Sequence, residues 1–197
     1  EFRDGGNGIV VMGNADVEVK NTSMERCSVG TYVRDRVKVK LSNVSAMFCG
    51  NGVSVYTFDN RAVPEVYVQA SLIKGNDVGI RVSGQNSYSY PVVQVNGNDI
   101  YDNTWNVYVE RGSNPQNTEL DFTDNWWGTT DGEDIASKIY DHTDNGYTAF
   151  VKFLPFLGSS GGNEVSADKY LCGWIRDDRM LDSSGSPYLV IGKVCIA

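Results

Sequence analysis

The sequence predicts an all-β solenoid, a parallel β-helix, and three periodic features predict it. A small residue opening an alternating apolar run recurs at Gly8-Ile9-Val10, Gly30-Thr31-Tyr32-Val33, Gly52-Val53-Ser54-Val55, Gly79-Ile80-Arg81-Val82 and Asn106-Val107-Tyr108-Val109, with spacings of 22, 22, 27 and 27. A second alternating pair follows each opener, at Val17/Val19, Val37/Val39, Val66/Val68, Val93/Val95 and Leu120/Phe122. Five residues beyond each pair, Met24, Val44, Ile73, Ile100 and Trp127 mark a third element. Periods of this length belong to stacked coils in which alternate residues of each short strand face inward. Five turns at the strand spacing make a core roughly 24 Å long.

The first strand of each turn is justified by its Val, Ile and Tyr content, which suits a half-buried pleated surface. The second strand repeats that pattern, and eight residues past it stand Cys27, Asn76 and Asn103, joined by Cys49 if the second turn carries a two-residue insertion. Stacked asparagines can ladder their amides along the coil axis, each donating to one neighbour and accepting from the other. An antiparallel sandwich is the competing arrangement, but Asn51-Gly52 and Gly97-Asn98 are its only hairpin signals, and the register does not reverse through them.

Composition narrows the setting. A net charge of −8 leaves no basic stripe for nucleic acid, and no apolar run is long enough to span a membrane. The chain opens on Glu without a signal peptide, which reads as a processed or excised piece, or as a cloning remnant. Four cysteines without a CxxC pair, and a single histidine, argue against zinc; 27–49 and 172–195 are the favoured disulfides, with Cys27 and Cys49 in neighbouring turns and Cys172 and Cys195 near the terminus. Buried free thiols are the alternative for the first pair.

The last coil is followed by Asp124-Asn125-Trp126-Trp127-Gly128-Thr129-Thr130, then Asp131-Gly132-Glu133-Asp134-Ile135-Ala136-Ser137-Lys138-Ile139, then Phe150-Val151-Lys152-Phe153-Leu154-Pro155-Phe156. Asp131 can cap a short helix, Asp134 favours its N-terminal dipole, and Ile135 and Ile139 share a face. Trp126 and Trp127 are expected to plug the open end. This stretch resembles the terminal turn of secreted right-handed parallel β-helix proteins of the pectate-lyase-like superfamily, with an Asn-x-Trp-Gly turn before a short helix and a strand ending at a Pro-aromatic pair. The resemblance implies a right-handed coil of about five turns over residues 1–157, with a short capping α-helix. It also implies an extracellular or cell-surface setting.

Residues 158–163 read as a linker and 164–197 as a small C-terminal β extension. Its Ser186-Pro187-Tyr188-Leu189-Val190-Ile191 run, with Val194 and Ile196 beyond, resembles the lead-in strand with which multi-part β-helix surface proteins begin their next helix. Such a strand needs a pairing partner: it either folds back on its own coil or adds to the exposed first turn of another copy, Gly8, Ile9, Val10, Val17 and Val19. The second arrangement is head-to-tail and builds a filament.

Relatives in that superfamily include polysaccharide lyases, hydrolases and epimerases, but the residues here give no such chemistry. Glu18, Glu65, Glu119 and Asp121 are interrupted by Lys38, Lys40, Tyr67, Gln69 and Gln94, as on a solvated strand face. Calcium is the one metal that Asp131, Asp134, Asp141 and Asp144 could hold, though turn and cap chemistry explains most of them. His142 lacks a Ser or Cys partner at motif spacing. The turns at 56–64 and 83–91 are longer than their equivalents and carry Phe58, Arg61, Tyr88 and Tyr90, a possible contact patch for a glycan or protein. The sequence therefore predicts a non-catalytic structural or interaction solenoid without a cofactor, assembling into a surface layer or filament, or belonging to a longer parent chain. The alternative is a carbohydrate-binding or polysaccharide-degrading, lyase-like fragment.

Overall fold

A coil is stable only if every turn returns to the register of the one before, because a slip of one residue exchanges core and solvent faces. The structure, a computed structural model, describes residues 1–85, 88–166, 168, 170–175, 181, 183 and 186–196, without the side chains at 174, 193, 195 and 196. Its first face stacks Asn7–Val11, Val29–Arg34, Asn51–Tyr56, Val78–Ser83, Trp105–Val109 and Ile139–Tyr140 in parallel. Ile9, Thr31, Val53, Ile80, Val107 and Ile139 form one column along it. The second face runs from the leading halves of Asn14–Glu25 and Arg36–Met47 through Glu65–Gln69, Val92–Asn96, Glu119–Asp121 and Phe150–Lys152. The third comprises Phe2–Arg3, the trailing halves of the two long strands, Leu72–Lys74 and Asp99–Tyr101, with a bridge from Asp99 to Trp126.

The chain is thus an all-β parallel β-helix, of six turns rather than the five expected. The sixth turn, Ile139–Tyr140 with Phe150–Lys152, lies beyond a helical excursion that interrupts the period. That helix, Gly132–Ser137, is capped by Asp131, whose carboxylate accepts from the Glu133 and Asp134 amides, and it buries Ile135. It joins the fifth turn to the sixth and packs against Ile139–Tyr140 and Leu189–Ile196 at that end of the coil. The tryptophans do not plug the end: Trp127 occupies the core position of the fifth turn above Ile100, and Trp126 is half-buried beside it. No helix among the described residues is long and apolar enough to cross a membrane.

The second turn is in a different register from the one its sequence suggested. Val17 and Val19 pair with Val39 and Leu41, which pair with Val66 and Val68. Val37, Val39 and Leu41 all face inward, so the alternation permits a shift by two without any change of face. In the true register Ala46, not Val44, sits between Met24 and Ile73, and Cys49 follows Cys27 by 22 residues with no insertion.

Two buried polar columns run along this register. Cys27 N–H donates to Cys49 Sγ at 3.4 Å, Cys49 N–H to Asn76 Oδ1 at 2.8 Å, and Asn76 N–H and Nδ2 to Asn103 Oδ1 at 2.9 Å. The second column has no counterpart in the sequence pattern above: Val44 N–H donates to Ser71 Oγ, Ser71 N–H to Asn98 Oδ1, and Asn98 N–H and Nδ2 to Asn125 Oδ1. Each asparagine also donates back to a carbonyl 30 residues earlier, Ala46, Ile73, Val68 or Val95. These bonds satisfy backbone groups at the corners, where the strand ladder is broken.

Cys27 and Cys49 are therefore reduced thiols serving in a ladder, which corrects the expected 27–49 disulfide. Parallel in-register stacking points both side chains the same way, and each sulfur is directed at backbone, Cys49 Sγ to Met47 O at 3.4 Å and Cys27 Sγ to Glu25 O at 3.6 Å. The proposed partner of Cys172, the Cys195 side chain, lies outside the described residues.

The openers are glycines because the stacked backbones approach too closely for a Cβ. One added at Gly30 would lie 2.5 Å from Gly52 O, at Gly52 2.6 Å from Gly79 O, and at Gly79 2.6 Å from Asn106 O. Asn106 itself escapes the rule because the helical excursion follows, and its Oδ1 accepts from Asn103 Nδ2 at 3.0 Å, ending the first ladder.

Residues 158–163 form a turn, closed by Gly158 N–H to Asn163 O, that sets Glu164–Val165 antiparallel to Phe156–Leu157. Beyond it, Tyr170–Ile175 and Leu189–Ile196 pair in parallel as a two-stranded ribbon. Ile191 is 3% exposed, packing beside Gly132 and sharing a small void with Ile139, Val151 and Phe153 of the sixth turn. The ribbon thus folds back over the final turn of its own coil. The opposite rim stays open: Ile9, Val17 and Val19 are only half-buried, Val10 is exposed, and the outer edge of Asn14–Glu25 is paired only at Met24 and Glu25 among the described residues.

Replacing Asn98 by Ala strands the Ser71 amide and the Val68 carbonyl and should cost about 3 kcal/mol in urea unfolding. Gly52→Ala should cost a similar amount, about 3 kcal/mol, whereas Gly6→Ala, where nothing lies within 4 Å of the new Cβ, should stay within about 0.5 kcal/mol of the parent.

Candidate functional site

Fixing the inward columns leaves the outward ones free to carry chemistry. On the first face Val10, Tyr32, Ser54, Arg81, Tyr108 and Tyr140 occupy successive rungs of one outward column, and Arg34 and Tyr56 stand in register two residues on. The rings form two clusters. Tyr32 and Tyr56 are 5.5 Å apart, Tyr56 stacks on Phe58 at 5.7 Å, and the Arg34 guanidinium lies 5.5 Å over Phe58. Tyr108 and Tyr140 stack at 4.6 Å with planes 9° apart, and Trp105 meets both edge-on.

Arg81 joins the clusters. It lies 5.4 Å over the Tyr108 ring and donates to Glu110 Oε1 at 3.0 Å. Burial pushes the Tyr56 phenol up; Glu110 adds to this and Arg81 opposes it. Burial likewise raises Tyr32. The phenols stay protonated at neutral pH and can both donate and accept. Beneath them Ser54 Oγ and Arg81 Nε are buried without a hydrogen-bond partner among the described residues.

Of the four residues expected in a contact patch, Phe58 alone joins this strip. Arg61 borders a separate polar cleft of about 380 Å³ with Arg36, Asn60 and Glu65. Tyr88 is half-buried in its loop, which is tied to the neighbouring loop by Ser89 N–H to Asn60 Oδ1 at 2.7 Å. Tyr90 is 6% exposed, its hydroxyl donates to Glu110 O at 2.9 Å, and burial pushes its phenol up to about 12, so it braces the coil and is not a contact residue. Tyr32, Arg81 and Tyr108 lie inside the opener phrases, at the outward positions between the apolar residues that mark the core.

The acidic residues considered for calcium do not converge. Asp131 caps the helix, and Asp144 accepts from the Asp141 amide at 3.1 Å. Asp141, 4% exposed, clamps the sixth turn by accepting from Thr143 N–H and Oγ at 2.8 Å and from Val151 N–H at 2.9 Å. Among the described residues no three His, Cys, Asp or Glu side chains are placed to share a metal ion. His142 packs on Phe150, ring centroids 4.2 Å apart, with Nδ1 2.6 Å from Thr148 O. On the second face Glu18 pairs with Lys20 and Lys38 with Glu65.

Burial raises the Asp141 carboxyl above its ordinary range, against backbone bonds from Val151 and Thr143 that pull it down. The folded state then holds this proton more tightly than the unfolded chain. The contribution to stability is full below the unfolded carboxylate pKa and is lost as pH rises through the folded one. Urea unfolding across the acid range should show the parent losing stability relative to Asp141→Asn as pH rises.

No family model, no curated protein and no solved structure matches the chain.

Proposed function

We propose that this chain is an extracellular, non-catalytic β-solenoid that binds an extended polysaccharide along the outside of its first face. The observation that carries the reading is the line of Tyr32, Tyr56, Phe58, Arg81, Tyr108, Tyr140 and Trp105 across five successive turns. Half-exposed rings with polar tips offer sugar chains both apolar contact and hydroxyl partners. A linear array on a rigid coil suits a linear ligand, because no conformational entropy is lost in forming the surface. Asp131, Asp141 and Glu110 are engaged in cap, clamp and ion pair, which favours binding over acid–base catalysis. Affinity electrophoresis through gels containing soluble polysaccharides tests the reading. The parent should be retarded by at least one polymer, and Tyr108→Ala or Tyr140→Ala should weaken that retardation about tenfold. Equal mobility in every polymer would remove it.

Head-to-tail assembly is a second reading, favoured by Leu189 and Val190, 52% and 56% exposed on a strand whose outer edge has no partner among the described residues. It expects sedimentation coefficients that rise with concentration and stop rising when both residues become Lys. A concentration-independent monomer would retire it.

A further inference from the structure

The helical excursion that interrupts the coil leaves a cleft of about 430 Å³ between the helix and the fourth and fifth turns, lined by Asp102, Asn103, Asn106, Trp127, Thr129 and Lys138, among others. It lies where the first amide ladder ends. Asn103 spends its amide on Ile73 O and Asn106 Oδ1, and the Asn106 backbone N–H donates to Lys138 O at 2.7 Å. Trp127 is 3% exposed, and its indole N–H is buried without a partner among them. A buried unpartnered donor costs about 1–3 kcal/mol, and an acceptor entering the cleft could relieve it. Around this floor, Thr129, Asp134 and Ser137 supply oxygens and Lys138 an ammonium group.

The charges select the ligand. Asp102 is already paired with Lys74 at 3.4 Å, so Asp134 and Lys138 remain, one of each sign. A site with an unspent donor in its lining, oxygens at its rim and no net charge suits a neutral hydroxylated ring, which both accepts and donates. Its position links it to the strip. Asn106 directly follows Trp105, whose ring lies 5.7 Å from that of Tyr140.

We propose that this cleft holds the terminal sugar of the polysaccharide lying on the aromatic strip, so that the protein recognises chain ends. The proposal rests on the binding function above. The Trp127 indole N–H resonance, assigned with Trp127→Phe, reports on the cleft alone. Millimolar glucose, galactose, mannose, xylose or N-acetylglucosamine should move it in a saturable manner, and an unmoved resonance with all five overturns the proposal. A second measurement uses whichever polymer retards the parent, intact and after partial hydrolysis to short oligomers. Binding per mass of ligand should rise with the number of ends. The surface variant Ser137→Ala/Lys138→Ala should weaken oligomer binding about tenfold with an unchanged melting temperature. If Tyr108→Ala abolishes binding while the cleft variant leaves it intact, end recognition fails and the strip stands. If no polymer retards the parent, the binding function fails, and the Trp127 resonance alone decides whether the cleft takes a sugar.

Discussion

In-register stacking of parallel turns is the constraint on which the rest of this molecule depends. It decides the inward residues, and also the polar ones, because a corner that breaks the strand ladder leaves amides and carbonyls in need of partners. Asn76, Asn98, Asn103 and Asn125 meet that need with side chains that accept a backbone N–H of the preceding turn and donate to one of its carbonyls. Stacking also explains the glycine column, since the carbonyl of the next rung occupies the space a Cβ would take. Two left-handed corners recur with the same period, one at Asn21, Asn43, Ala70, Gly97 and Asp124, the other at Asp4, Arg26, Phe48, Gly75 and Asp102. A non-glycine residue there costs about 1–2 kcal/mol, which the ladder and corner bonds offset. Asn43 Nδ2, for instance, reaches Asn21 Oδ1 at 2.7 Å.

Most of the coil was legible in the sequence because a solenoid writes its geometry as a period. The openers at 8, 30, 52, 79 and 106 fall into one column as read. The second turn is ambiguous in sequence because of the alternation itself: Val37, Val39 and Leu41 make three inward positions, and a two-residue period cannot tell the pairs apart. Hydrogen-bond geometry can, since Cys49 aligns with Asn76 in only one register. The second ladder went unseen because Val44 and Ser71 stand at its head. The sixth turn was hidden by the helix, whose insertion removes the period from residues 129–138.

The candidate site was less legible, for a different reason. Aromatic residues in long turns attract notice as surface features, yet Tyr90 lies beneath its loop and braces the coil. The rings that form a surface sit within regular strands, one residue away from core positions, and only stacking brings Tyr32 beside Tyr56 or Tyr108 beside Tyr140. Residues 32 and 56 are unremarkable neighbours in sequence terms; the coil makes them adjacent.

This separation of inward and outward columns also explains how one backbone can carry three different faces. The first presents tyrosines with Arg81, the second the ion pairs of Glu18, Lys20, Lys38 and Glu65, the third Lys74 beside Tyr101 at 4.7 Å. None of these choices disturbs the core, because an outward residue meets only its neighbours on adjacent rungs. The corners are equally permissive of length, taking the period from 22 to 27 residues while the strands stay in register. Chemistry that requires a concave surface has to come from outside this pattern. A cleft forms where the pattern stops: the helix at Gly132–Ser137 follows the end of the first ladder at Asn106 and borders the cleft lined by Trp127. The defect in the repeat and the cleft therefore share one cause, and a coil that continued without interruption would have neither.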